Sequence, residues 1–90
     1  MITANDARAL MDYKLYEEKV KEYEQIIEKE IINAAKDNQF NTYISFKYEN
    51  NPLIEKALID VTESLENNGF EVTYTCADFA KYIVRVSWFW

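Results

Sequence analysis

The sequence predicts a two-layer α+β sandwich, and three observations carry that prediction. The first is a long glycine- and proline-free stretch from Asp6 to Lys36 with one apolar stripe; the second is a second, shorter helical pattern. The third is a set of three β-prone segments, two of them consecutive at the end of the chain. Ninety residues suffice for one domain, 1–90, so the helices must bury their stripes against a single sheet.

The first helix is expected to begin at Thr3-Ala4-Asn5-Asp6, which has the form of a capping box: the Thr3 hydroxyl accepts from the Asp6 amide, and the Asp6 carboxylate reaches back. Leu10, Tyr13, Tyr16, Val20, Tyr23, Ile27, Ile31 and Ala34 recur at three- and four-residue steps and make the stripe. A continuous helix to Lys36 would be about 50 Å long at 1.5 Å per residue. A compact chain of this size has a radius of gyration of roughly 12 Å. The helix therefore either bends near Asp12 to Leu15 or overhangs to meet a partner. Glu17, Lys21, Glu24 and Glu28 lie opposite the stripe and read as a solvated face, with Glu17 and Lys21 spaced for an ion pair.

Lys36-Asp37-Asn38-Gln39 is a polar stop. Strand one, Phe40 to Tyr48, alternates with period two, and Phe40, Ile44, Phe46 and Tyr48 share a face. Asn51 caps a second helix with Pro52 at its first position and Ile54, Ala57, Leu58, Val61 and Leu65 as its stripe. Gly69 ends it, because a C-terminal cap needs the left-handed conformation that glycine takes cheaply. Strand two, Phe70 to Cys76, follows, then a link, Ala77 to Lys81, and a last strand, Tyr82 to Trp90.

The predicted order is helix-strand-helix-strand-strand. A crossover joins strands one and two, and the terminal hairpin lets strand three slot between them, giving an antiparallel sheet of order 1-3-2 with a long N-terminal helix on it. The core face of the sheet would hold Phe40, Ile44, Phe46, Val72, Tyr74, Cys76, Val84, Val86 and Trp88. Cys76, alone and in an apolar run, reads as a small buried hydrophobe.

Composition narrows the chemistry. There are 10 Lys and Arg against 16 Asp and Glu, a net charge of −6, with no histidine and one cysteine. The lack of histidine removes Ser-His-Asp and Cys-His mechanisms and the commonest zinc ligand, and one cysteine cannot form an intrachain disulfide or a Cys-x-x-Cys site. No glycine-rich loop offers a phosphate cradle. The chain is thus expected to be no enzyme and to need no cofactor or metal. The acidic balance argues against binding duplex nucleic acid through its backbone and suits a protein partner with a basic surface. No leader, membrane span or lipidation box is read, so the cytosol is the expected compartment.

The other sheet face is where a binding site is expected. It presents Tyr43, Ser45 and Lys47 from strand one, Thr73 and Thr75 from strand two, and Ile83, Arg85, Ser87 and Phe89 from strand three. Two cations, two aromatics and several hydroxyls suit stacking of a base or pairing with a phosphate or carboxylate. The same composition also suits a water-exposed antiparallel face or a subunit contact. Trp88-Phe89-Trp90 cannot all face one core, so Trp88 is assigned to the core and Phe89 and Trp90 to a tuck or a partner contact. The candidate partner-binding residues are Tyr43, Lys47, Arg85, Phe89 and Trp90. Glu63 and Glu66, on the outer side of the second helix, read as solvated.

Met1-Ile2-Thr3-Ala4 with Ala7-Arg8, Ile32-Asn33-Ala34-Ala35-Lys36, Asn68-Gly69-Phe70 and Ser87-Trp88 together resemble small proteins encoded by tailed bacteriophages. Asp37-Asn38 stands where a glycine turn is common in that group, and Phe89-Trp90 extends the end. The resemblance implies a viral accessory protein acting in a bacterial cytoplasm, or a component of the virion. Three functions compete: an inhibitor that occupies a host protein, a homo-oligomeric sponge that sequesters a nucleotide signal, and an assembly component associating through the first helix.

Overall fold

The computed structural model describes residues 1–76 and 81–88. Helix α1 spans Ala4–Ala9, α2 Tyr13–Lys36, strand β1 Asn41–Lys47, α3 Pro52–Asn67, β2 Glu71–Cys76 and β3 Lys81–Ser87. The sheet order is β1-β3-β2 and both pairings are antiparallel, as the sequence predicts. Helices α2 and α3 pack together across one face of the sheet.

The expected first helix is two helices. The capping box forms as written, with the Thr3 hydroxyl accepting from the Asp6 amide at 3.2 Å and the Asp6 carboxylate accepting from the Thr3 amide at 3.0 Å. The chain then leaves helical geometry at Asp12, whose φ of −84° and ψ of 81° let its carboxylate cap the Leu15 amide at 3.1 Å. Asp12 thus competes with the backbone ladder and starts a new helix without any glycine or proline. Nothing in α1 is buried, and Leu10, expected on the buried stripe, is 80% exposed; Tyr13 is exposed as well. The N-terminal segment both breaks and overhangs, which lengthens the molecule to 56 Å and raises its radius of gyration to 15.1 Å.

Both long helices end the same way. At α3, Gly69 has φ +93°, the Phe70 amide donates to the Leu65 carbonyl at 3.1 Å and the Gly69 amide to Glu66 at 3.1 Å. At α2, Asn38 takes the left-handed position with φ +62°, while the Gln39 and Asn38 amides donate to Ala34 and Ala35 at 2.9 and 3.0 Å. Asparagine thus does at α2 what glycine does at α3.

The core is built from Tyr23 and Ile27 of α2, Ile54, Ala57, Leu58 and Val61 of α3, and Ile44, Phe46, Tyr82, Val84 and Val86 of the sheet. Val72, Tyr74 and Trp88 are half-buried against it. Two expected core residues are not there. Phe40 precedes β1, directly after the α2 terminus, and is 57% exposed. Cys76 is exposed, not a buried hydrophobe: it is the last residue of an edge strand, where β3 covers only one side. Tyr82, placed by sequence in the last strand but not in the core, is almost wholly buried.

Candidate functional site

The face of the sheet away from the helices collects the chemistry. Its cross-strand rows follow from register. Asn41, Ser87 and Glu71 form one row, Tyr43, Arg85 and Thr73 the next, Ser45, Ile83 and Thr75 the third, and Lys47 and Lys81 the last. Side chains on one face recur every second residue, about 7 Å apart along a strand, and directly paired residues lie about 5 Å apart across strands. Tyr43 is 65% exposed and the Arg85 guanidinium sits over its ring, 5.9 Å from the centroid. Tyr43, Lys47 and Arg85, predicted to act together, are therefore on one surface. Phe89 and Trp90, predicted with them, lie outside the described residues.

Lys81 is the residue that sequence reasoning missed. Assigned to a link, it is the first residue of β3 and pairs in register with Lys47, side by side on the open face. Counting back in steps of two from Arg85 places it on that face; only the assumed strand start hid it. The ion pairs of the described residues lie elsewhere: Lys19 with Glu22 at 3.0 Å and Glu49 at 3.2 Å, and Lys56 with Asp60 at 3.2 Å. The expected Glu17–Lys21 bridge is not among them. Glu22, and after it Glu49, hold the Lys19 ammonium pKa above its ordinary value.

Charge is segregated across the fold. The three strands hold Lys47, Lys81 and Arg85 against Glu71 alone, net +2. The rest of the chain then has 7 cations against 15 carboxylates, net −8. Helix α3 contributes most to that excess, with Glu55, Asp60, Glu63 and Glu66 against Lys56. Glu55, Ile59 and Glu63 are spaced by four on its outer face, all exposed. Glu66 is exposed too.

Two polar features sit under the helices. The Tyr16 hydroxyl donates to the Asp60 carboxylate, tying α2 to α3. That bond pushes the Tyr16 pKa up to about 12 and, together with Lys56, holds Asp60 below the usual carboxylate range. Tyr82 packs between Tyr74 and Tyr48, with ring centroids at 5.2 and 5.3 Å. The Tyr74 and Tyr82 hydroxyls are both buried, and burial pushes both phenols upward. They are thus neutral at physiological pH and supply hydrogen-bonding groups rather than nucleophiles.

Among the described residues no helix is long and apolar enough to cross a membrane, and no group of His, Cys, Asp or Glu side chains is placed to hold a metal. The arrangement defines an α+β domain with a cationic, aromatic sheet face and an acidic helical face. No family model matches the chain, and neither a curated protein nor a solved structure matches it.

Proposed function

We propose that the chain is a small, acidic, non-catalytic binding protein that acts by occupying a protein partner with a basic surface. The observation that supports this reading is the outer face of α3. There the exposed Ile59 lies between Glu55 and Glu63, and no ion pair of the described residues neutralises either carboxylate. An apolar anchor flanked by like charges on one helical face is suited to a complementary groove. The hydrophobic contact holds the complex, and the carboxylates steer encounter and reject acidic competitors. With the resemblance to small phage proteins, the partner is a protein of the bacterial host, met in its cytoplasm and inhibited by being covered.

The test is capture from bacterial lysate by the wild-type protein and by the double variant Glu55→Lys, Glu63→Lys. A specific host protein held by the wild type should be lost from the variant, with association slowed about tenfold or more and weakened by salt. Capture indifferent to the charge reversal, or no host protein held at all, would refute the reading. Recovery of the protein from purified virions instead would favour an assembly role.

A further inference from the structure

The sheet face opposite α3 carries a feature that the acidic-surface reading does not use. Lys47 and Lys81 are cross-strand partners in an antiparallel pairing, with their side chains on the same open face. Like charges directly opposite on a sheet are destabilising, so opposite charges or neutral residues would favour the fold itself. Among the described residues no carboxylate is paired with either charge, and an anion bridging the two would remove their repulsion.

The rest of the face says which anion. The row next to the lysines is neutral: Ser45 and Thr75 offer hydroxyls on either side of the half-buried Ile83. The row beyond, about 14 Å from the lysines along the strands, holds the exposed Tyr43 ring with Arg85 over it. An extended acidic peptide presents carboxylates at every second residue and would call for cations in each row; the middle row has none. A ligand with charge concentrated at one end and a flat aromatic group at the other matches these three rows; the fourth row of the face, Asn41, Ser87 and the exposed Glu71, lies beyond the aromatic end, away from the lysines. We propose that this face binds a nucleoside polyphosphate, with its phosphates across Lys47 and Lys81 and its base stacked at Tyr43 and Arg85. Stacking on tyrosine with a guanidinium alongside is favourable for any base, and multidentate lysine contacts suit a phosphate chain.

Calorimetric titration at low salt with four probes tests the proposal: ATP, tripolyphosphate, adenosine and a peptide of alternating glutamate. ATP should bind, tripolyphosphate more weakly, and adenosine and the peptide not measurably. Lys47→Ala and Lys81→Ala should each weaken ATP binding by about tenfold or more, the usual loss for a charge-assisted contact. Tyr43→Ala should bring ATP down to the level of tripolyphosphate. Lys47→Glu guards against mere unfolding, because it should pair with Lys81 and raise the Tm of the ligand-free protein while abolishing ATP binding.

ATP binding unchanged in both lysine variants, or no ATP binding by the wild type, overturns the proposal. So does tripolyphosphate binding as tightly as ATP, which would mean anion capture without a base. Preferential binding of the glutamate peptide would overturn it in favour of an acidic protein surface. None of these outcomes depends on the α3 face, so the two readings stand or fall separately.

Discussion

At the scale of single residues, a hydrogen bond from Tyr16 to Asp60 ties the two long helices, a neutral donor on a carboxylate that is only partly exposed. Bonds of this kind contribute about 1.5 kcal/mol. Tyr16→Phe is therefore expected to lower the free energy of urea unfolding by about that amount at pH 7. The pH dependence follows from the direction of each shift. The Asp60 pKa is depressed in the fold, so its contribution is present above the ordinary value of 3.8 and disappears as pH falls through the lowered one. The Tyr16 pKa is raised from 10.0 to about 12, so its contribution is complete below pH 10 and disappears as pH rises through about 12. Urea titrations of wild type and Tyr16→Phe should differ most between these limits and converge toward both extremes. A constant difference down to pH 2 would show that loss of the hydroxyl's other contacts, not its bond to the ionised Asp60 carboxylate, causes the destabilisation. Tyr16 was readable from sequence as part of the stripe; its bond was not, because Asp60 lies 44 residues away and only the packing of α2 on α3 brings the two together.

Elements were legible where local chemistry and packing agree. The cap at Asn51-Pro52 and the stop at Gly69 each rest on one backbone requirement that few residues meet, and both formed where read. The sheet order was legible because a hairpin between the last two strands and a helical crossover before them leave β3 the central position. The sequence misled where a pattern outran its cover. The apolar period continues through Leu10, yet a stripe becomes a core only if something lies over it, and no residue of α1 is buried. A two-turn helix is marginal in water even when well capped. Its amides, from Ala4 to Ala9, should therefore exchange with solvent orders of magnitude faster than those around Tyr23 and Ile27 in α2. Hydrogen exchange read by mass spectrometry distinguishes the two segments. Comparable protection of α1 at micromolar concentration would mean that another copy of the chain covers it.

For the whole molecule the governing fact is an imbalance of charge rather than its total. Three strands at +2 are joined to a remainder at −8, and the ion pairs of the described residues engage only Lys19 and Lys56 among the seven cations of that remainder. Repulsion among carboxylates on the helical side, and between Lys47 and Lys81 on the sheet, then outweighs the attraction of a few exposed bridges, each worth at most about 1 kcal/mol. At an ionic strength near 0.01 M the screening length is about 30 Å, longer than the 28 and 19 Å minor dimensions of the molecule, so each charge feels most of the others. At about 0.15 M it falls to about 8 Å and the repulsion is confined to neighbours. Added sodium chloride should accordingly raise the Tm of the isolated protein across this range, while weakening any complex made through α3 or the lysine pair. A Tm that falls with salt would show that the bridges at Lys19 and Lys56 outweigh the repulsion. The binding surfaces would then have to be sought in shape and apolar contact rather than in charge.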